Sequence, residues 1–267
     1  MFDRNIYLDE LRTSWLGVRF LYKQEIESTN TFLKRVPPPE FGHGIVLLAD
    51  LQKKGRGQYD RKWHSQPGEN LTFTIGLKPS EAGSLTLLTL SVAEAMAVVI
   101  QEQLDVEVLI KWPNDLIVSG CKVGGILTES VFNGSDLERV LIGIGVNVNQ
   151  QDFHSGLDSV TSLALEIGRP VDREELLCRI LEGAEQAYIN WQNREREWIA
   201  AINRRLIGFG EWTHLQVNGE LLDGRFKVLG VNENGYLVTL TSDYAVNTFS
   251  YEQIRIIPDH TASRLTS

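Results

Sequence analysis

A cluster of basic residues that follows an apolar segment is the first part of this sequence whose side chains could do chemistry. One acid, Asp60, accompanies five cations, which are Lys53, Lys54, Arg56, Arg61 and Lys62. Gly55 and Gly57 bracket Arg56, so the backbone there can approach a ligand closely. The segment follows neither the helical nor the strand period, which predicts a loop. A basic loop followed by Trp63 suits an anionic ligand with an aromatic face, such as a nucleotide; the alternatives are a solvated loop and a nucleic-acid-binding patch.

A second group of reactive side chains lies in the segment from Lys111 to Asp115, which reads KWPND. It combines a cation, an indole ring, an amide and a carboxylate, and Pro113 indicates a bulge or a sheet edge because proline cannot donate to a central ladder. Lys122 follows seven residues after Asp115 and precedes a glycine pair. Its ammonium could therefore enter a cleft while the backbone lies against a ligand. The alternatives are a turn with a packed tryptophan and a surface lysine.

A third group, Ser28-Thr29-Asn30, follows a predicted strand at residues 18–27 and begins a short helix that ends near Arg35. Residues of these types are common helix N-caps. They also present hydroxyls and an amide at the end of a strand, where small polar ligands often bind.

These groups must be positioned by a sheet with helices packed on it. Apolar or alternating segments predict strands at residues 44–50, 70–78 and 139–149, and a strand pair within 108–129 that turns at Ser119-Gly120. The 139–149 strand contains two glycines that leave space above the sheet. Helical spacing of apolar residues predicts a scaffold helix at 84–104 and an amphipathic helix at 172–203.

The pattern changes from Trp212 onward. Short strands are predicted at residues 213–217, 225–231, 236–241, 246–250 and 253–257. They are separated by Asn218-Gly219, Asp223-Gly224 and Asn234-Gly235, each of which is a strong hairpin signal. We therefore predict a small β-barrel, with one domain at residues 1–211 and a second at 212–267.

Composition excludes several classes of protein. The chain has 267 residues, 42% of them hydrophobic, and a formal net charge of -9, which suits a full core but not a dedicated nucleic-acid-binding protein. No run of roughly 18 apolar residues is present, and the N-terminal segment lacks the apolar core of a signal peptide. Cys121 and Cys178 provide neither a disulfide framework nor a metal-binding spacing. We expect a cytoplasmic protein with no membrane span and no Cys/His metal site.

Taken together, these segments resemble the biotin protein ligase family, also called biotin–[acetyl-CoA-carboxylase] ligases. The matching pieces are STN at 28–30, Gln52, GRGQYDRKW at 55–63, PGENL at 67–71, KWPND at 111–115, KVGGIL at 122–127, GIGVNVN at 143–149 and TSL at 161–163. Together with the C-terminal strands they cover nearly the whole chain in order. The resemblance implies an α+β fold, in which a mixed sheet flanked by helices forms a class II synthetase-like catalytic domain, followed by a small SH3-like β-barrel.

The resemblance also implies a reaction. Such a ligase forms biotinyl-5'-AMP from biotin and ATP, and then transfers biotin to one lysine of a biotin carboxyl carrier protein. ATP chemistry implies Mg²⁺, held mainly by phosphates and water rather than by protein ligands. The implied partner is the carrier domain of acetyl-CoA carboxylase or of another biotin-dependent carboxylase, and the ligase itself would be a monomer or a homodimer.

Three residues receive catalytic roles by resemblance. Arg56 would grip carboxylate and phosphate oxygens, Lys122 would bridge the biotin carboxylate and the α-phosphate, and Asp115 would orient or deprotonate the acceptor lysine. The biotin-binding residues implied in the same way are Ser28, Thr29, Asn30, Gln52, Arg56, Gly57, Gln58, Lys122 and Gly125. The implied nucleotide-binding residues are Trp63, Lys111, Asn114 and Asn147.

One feature of the sequence differs from many members of the family, and another distinguishes one subgroup of it. Many members read Gly-Arg-Gly-Arg-Arg-Gly in the loop, whereas here Gln58 replaces a cation and Asp60 replaces a glycine; both changes affect how tightly the loop would hold an adenylate. About 17 residues precede the first predicted strand, too few for a three-helix DNA-binding domain, so we expect no DNA binding. The alternatives are a lipoate-type ligase of the same fold, a non-catalytic binding module and a DNA-binding repressor.

Overall fold

A seven-stranded sheet is the largest element of the computed structural model, which describes residues 2–58, 61–79, 83–153, 159–193, 196–250 and 254–257. Its strands are β1 (Phe20–Ile26), β2 (Ile45–Gln52), β3 (Leu71–Leu77), β4 (Leu109–Lys111), β5 (Asp115–Val118), β6 (Cys121–Asn133) and β7 (Asp136–Val146). Their order across the sheet is β1-β2-β3-β7-β6-β5-β4, with β1 parallel to β2 and every other neighbouring pair antiparallel. The sheet is therefore mixed, as predicted.

The described helices are α1 (Arg4–Glu10), α2 (Thr29–Arg35), α3 (Leu85–Leu104), α4 (Leu163–Ile167), α5 (Arg173–Gln192) and α6 (Arg196–Arg205). Several of these helices start at an N-cap residue where the sequence predicted a helix start. The hydroxyls of Ser28 and Ser84 accept from backbone N–H groups of α2 and α3, and the Asp172 carboxylate does so for α5. Each cap satisfies a backbone donor that the first turn leaves without an intrahelical partner.

Helices α2 and α3 cover opposite faces of this sheet. Successive strand residues point to opposite faces, and Thr128 of β6 pairs with Ile142, the neighbour of Gly143 in β7. Gly143 lies beneath Asn30 of α2, whereas the Thr128 hydroxyl lies 2.7 Å from the Thr89 hydroxyl of α3. The face that carries α2 is the one above which the site described below is built.

Helix α3 is long and apolar enough to cross a membrane, judged by length and composition alone, with a mean hydropathy of 1.5. The sequence contains no unbroken apolar run there, because Thr89, Ser91 and Glu94 interrupt the apolar residues of α3. In the structure 61% of this stretch is buried, and the helix packs against α5 and β6. Helix α3 is therefore a core element of this fold.

Three details of the predicted elements were wrong. The segment 108–129 forms three strands rather than a pair, because the KWPND residues make the turn between β4 and β5. Pro113, preceded by a cis peptide bond, lies in that turn next to the edge strand β4, which confirms the edge position. The predicted helix at 172–203 is two helices, since α5 ends with Asn193 as its C-cap and α6 begins at Arg196. Helices α1 and α4 were not predicted.

The C-terminal strands form a second, antiparallel sheet. They are β8 (Trp212–Val217), β9 (Glu220–Leu221), β10 (Phe226–Val231), β11 (Leu237–Thr241), β12 (Val246–Phe249) and β13 (Ile254–Ile257). The order is β12-β11-β10-β8-β13, with β9 paired to β8. The hairpin at Asn218-Gly219 has positive φ at both residues, as its sequence predicted. The predicted fold class is confirmed, although Gln253, the predicted start of the last strand, lies outside the described residues; the domain boundary at residues 211 and 212 stays a prediction.

Candidate active site

A cavity of about 590 Å³ opens above the α2 face of the first sheet and reaches the second sheet. Every residue to which the sequence analysis gave a role lines it. These residues are Ser28, Thr29, Asn30, Gln52, Arg56, Gly57, Gln58, Trp63, Lys111, Asn114, Asp115, Lys122, Gly125 and Asn147. The structure therefore brings together segments that lie more than a hundred residues apart in the chain. The individual roles of these residues stay predictions.

Glycines of β7 form the floor of the cavity. A Cβ atom added to Gly143 would lie 2.5 Å from Oδ1 of Asn30, and one added to Gly145 would overlap the indole ring of Trp63. These two positions therefore need glycine because neighbouring side chains rest directly on the strand backbone. The expectation that the glycines of this strand leave space above the sheet is confirmed.

The wall formed by α2 and the end of β2 contains a network of polar side chains. Oε1 of Gln52 accepts from the backbone N–H of Thr29 (2.7 Å) and from its hydroxyl (3.0 Å). The hydroxyl oxygen of Thr74 lies 2.7 Å from that of Thr29 and 2.5 Å from Oδ1 of Asn30. The Thr29 and Thr74 hydroxyls each have one hydrogen, and together with the Thr29 N–H they can supply every acceptor in this network. Oδ1 of Asn30 accepts from one donor here and has a second lone pair with which it can accept from a ligand.

Each of the two cations with a predicted catalytic role is paired with a carboxylate. Nζ of Lys122 lies 2.5 Å from Oδ1 of Asp115, and Nη2 of Arg56 lies 3.1 Å from Oε2 of Glu129. The side chains of these pairs are partly exposed, from 20% for Glu129 to 47% for Arg56, so the pairs contribute little to stability. Both cations stay accessible from the cavity.

Lys111, the last residue of β4, also lines the cavity. Burial lowers the pKa of Lys111 from its usual value, and although Asp115 opposes this shift, the cations Arg255, Lys122 and Arg61 reinforce it. Lys111, Lys122, Arg61 and Arg255 all line the cavity, so several cations surround it. Such a group of cations attracts anionic ligands.

The amides of Asn114 and Asn147 hold the backbone around the cavity. Nδ2 of Asn114 donates to the carbonyl of Ile126 (2.7 Å), and Nδ2 of Asn147 donates to the carbonyl of Thr161 (3.1 Å). A ligand contact by either side chain could use its Oδ1 atom or the second N–H of its NH₂ group. The indole N–H of Trp63 is buried and has no hydrogen-bond partner among the described residues.

Several residues at the cavity had no role in the sequence-based prediction. Gln216, Asn218, Gly219, Ile254 and Arg255 of the second sheet line it, and Thr74 and Glu129 hold residues that line it. The hairpin signal located the turn at 218–219 but not the surface against which it packs. No pattern in the sequence marks the others, because their neighbours are brought close only by the fold.

A protein-held metal ion has no ready set of ligands here. Among the described residues, no three His, Cys, Asp or Glu side chains come together in a way that could hold a metal ion.

The fold and the sequence match known ligases. Residues 22–147 match the model of the biotin/lipoate A/B protein ligase family. The bifunctional ligase/repressor BirA of Bacillus subtilis (strain 168) is 32% identical over 240 residues, which are 87% of this chain and 73% of that protein. The biotin--[acetyl-CoA-carboxylase] ligase of Paracoccus denitrificans is 33% identical over 176 residues, which are 62% of this chain and 70% of that protein.

Solved structures show the same architecture. The biotin protein ligase from Aquifex aeolicus in complex with biotin and ATP superposes with a TM-score of 0.79 at 28% identity, covering 90% of this chain and 99% of that one. The fold and the matches to known ligases thus define the chain as a ligase with an α+β fold. The chain belongs to the biotin/lipoate A/B protein ligase family, and its resemblance to the biotin protein ligases is confirmed.

Proposed function

We propose that this enzyme forms biotinyl-5'-AMP from biotin and ATP and then transfers biotin to a lysine of a biotin carboxyl carrier domain. One observation carries the proposal: a single cavity joins a wall of hydrogen-bonding side chains to a group of cations, in a chain whose net charge is -9. The family membership agrees with this chemistry, and the similar Aquifex aeolicus ligase is in complex with biotin and ATP.

The polar wall suits the ureido ring of biotin, which offers two N–H donors and one carbonyl. A ligand N–H could donate to the second lone pair of Asn30 Oδ1, which lines the cavity. A hydrogen bond contributes about 0.5–1.5 kcal/mol net, so a ring without these donors would bind less well. The wall would thus select biotin over acids of similar length.

The cations suit the two anionic groups that must meet. The biotin carboxylate and the α-phosphate repel each other until positive charge lies between them, and Lys122 and Arg56 are both accessible for that purpose. A carboxylate oxygen attacks the α-phosphorus, the bond to pyrophosphate breaks, and Lys122 stabilises the negative charge that builds up on the equatorial oxygens. Lys111 adds positive potential from the side of the second sheet.

Transfer requires a neutral amine. The acceptor lysine attacks the carbonyl of the mixed anhydride, AMP leaves with the electron pair of the broken bond, and the amine gives up a proton. Asp115 lines the cavity beside Lys122 and would receive this proton. The basic loop, by covering the anhydride, would keep water from hydrolysing it.

Three further parts of the proposal concern the surroundings of the site. Mg²⁺ would enter with ATP and be held by phosphates and water, since the described residues provide no cluster of protein ligands. Residues 212–267 would act as a separate domain that closes one side of the cavity. The enzyme would work in the cytoplasm, where biotin carrier domains are made.

The decisive experiment is biotin-dependent exchange of pyrophosphate into ATP by the purified chain, with lipoate offered in parallel. We expect exchange with biotin and at least a hundredfold less with lipoate, followed by transfer to a purified carrier domain. Exchange driven equally by lipoate would favour the lipoate-type alternative. The absence of exchange with either acid would refute the proposed function.

A further inference from the structure

Glu129 contacts two residues that have predicted substrate roles, although it has none itself. This carboxylate lies on β6, and its Oε2 atom accepts from Nδ2 of Asn30 at 2.8 Å. The same group accepts from Nη2 of Arg56 at 3.1 and 3.2 Å. Asn30 and Arg56 come from different elements, α2 and the basic loop, so Glu129 is the point at which they meet.

The first contact fixes which way the Asn30 amide faces. A carboxylate can only accept hydrogen bonds, so the NH₂ group of Asn30 must point towards Glu129 and its oxygen towards Thr74. The backbone carbonyl of Leu127, 3.3 Å from Nδ2, favours the same orientation. Because the amide rests on Gly143, it has no free space in which to adopt another position. The acceptor oxygen of Asn30 is thus presented in one orientation.

The second contact orients the Arg56 guanidinium and leaves some of its N–H donors available for a ligand. Within the described residues, Arg56 makes its hydrogen bonds through Nη2, to Glu129 and to the hydroxyl of Thr31 at 3.4 Å. A guanidinium has five N–H groups, so the N–H groups of Nε and Nη1 are left for an anion. A rigid guanidinium loses less conformational freedom when it binds an anion than a mobile one does.

We infer that Glu129 is a positioning residue for adenylation, which sets the amide of Asn30 for the ureido ring and the guanidinium of Arg56 for the carboxylate and phosphate. The inference rests on the proposed function. It also has a consequence that a simple ion pair would not have. Replacing the carboxylate by an amide should separate the two tasks, because an amide oxygen in the place of Oε2 could still accept from Asn30. The contact with Arg56 would be weakened, since the negative charge is lost and an NH₂ group replaces Oε1.

The experiment compares three variants with the parent. Glu129→Gln and Glu129→Ala test the inference. Glu138→Gln is the matched control, because Glu138 is a strand carboxylate of similar exposure that pairs with Arg139 and does not line the cavity. Biotin affinity is measured by calorimetry without ATP, adenylation by single-turnover formation of biotinyl-5'-AMP, and folding by the melting temperature. Biotinol, which lacks the carboxylate, is the second ligand.

We expect Glu129→Gln to bind biotinol within threefold of the parent but to slow adenylation about tenfold. Glu129→Ala should lose tenfold or more in affinity for both ligands and slow adenylation further, while Glu138→Gln should match the parent in ligand affinity and adenylation. The inference is overturned if both Glu129 variants bind and adenylate within threefold of the parent, or if the Gln and Ala variants lose the same amount in every assay. Equal losses in Glu138→Gln would also overturn it. A parent that binds no biotin would instead refute the proposed function.

Discussion

A methyl group added to Gly143 gives the most direct test of how the cavity floor supports the ligand. The new Cβ atom would lie 2.5 Å from Oδ1 of Asn30 and 2.9 Å from its Cγ and Nδ2 atoms, which is far inside van der Waals contact. Asn30 is 4% exposed and packed, so the amide cannot simply swing into solvent. Gly143→Ala must therefore push the Asn30 amide away from the sheet.

The size of the effect follows from the hydrogen bonds that this displacement breaks. Asn30 accepts from Thr74 at 2.5 Å and donates to Glu129 at 2.8 Å. At a net contribution of about 1 kcal/mol for each bond, the ligand-binding wall loses about 2 kcal/mol of preorganisation, or roughly thirtyfold in biotin affinity. Separately from this loss of affinity, packing strain should lower the free energy of unfolding by about 1–3 kcal/mol.

Calorimetric titration with biotin, paired with urea denaturation, measures both effects. Gly76→Ala is the matched control: it lies on β3 of the same sheet, and its added Cβ would meet Phe41 at 2.6 Å and Ile45 at 2.7 Å, away from the cavity. The control should lose stability to a similar degree and keep its affinity for biotin. The reasoning fails if Gly143→Ala binds biotin within threefold of the parent, or if Gly76→Ala loses as much affinity.

Four other changes have expected outcomes. Lys122→Ala should slow single-turnover adenylation by about 10²–10³, equivalent to ~3–4 kcal/mol, and weaken biotin binding much less; a rate within threefold of the parent would contradict its role. Gln58→Arg should slow the release of biotinyl-5'-AMP about five- to tenfold in a chase experiment, because a charge-assisted bond is roughly twice as strong as a neutral one, and release at the parental rate would refute this. Gly235 has a φ of 72°, and a Cβ atom added there would lie 2.7 Å from the backbone nitrogen of Leu87. Gly235→Ala should therefore lower the melting temperature by several degrees and slow adenylation. An unchanged melting temperature would show that the second sheet tolerates a shift. Burial raises the pKa of Glu94, so the folded protein favours the protonated side chain. The free energy of unfolding therefore falls as the pH rises through that raised pKa and the carboxylate forms. Glu94→Gln should increase the free energy of unfolding at pH 8 and change it little at pH 4, as measured by urea denaturation.

Local chemistry made much of the fold predictable. The caps at Ser84 and Asp172 begin helices where the sequence placed them, because an N-cap side chain satisfies backbone donors within a few residues. The Asn218-Gly219 turn is equally local, since positive φ at two successive residues suits this pair. The residues that line the cavity were predicted in a different way. Several short motifs follow one another in the order typical of the biotin protein ligase family, and that order indicated which residues belong to the site.

Features that depend on tertiary packing could not be predicted in this way. Pro113 signalled an interruption, but the three-residue strand β4 before it is too short to show a period, so three strands were taken for two. The end of α5 near Asn193 has no proline or glycine to mark it. Glu129 and Arg255 look like ordinary polar strand residues, and only the fold places them beside Arg56 and Lys111.

The acidic partners of the two cavity cations have different positions, and this difference divides their roles. Asp115 lines the cavity and pairs with Lys122, whereas Glu129 reaches the cavity only through Asn30 and Arg56. Partly exposed ion pairs contribute about 0–1 kcal/mol, so an incoming phosphate or carboxylate can compete with Asp115 for the Lys122 ammonium at little cost. In the proposed reaction Lys122 would turn to the substrate, and Asp115, no longer paired with it, would be free to accept the proton of the attacking amine. Glu129 would keep its partners throughout, because Arg56 has further N–H groups for the anion. On this proposal one carboxylate changes partners during the reaction and the other holds the geometry in which that change occurs.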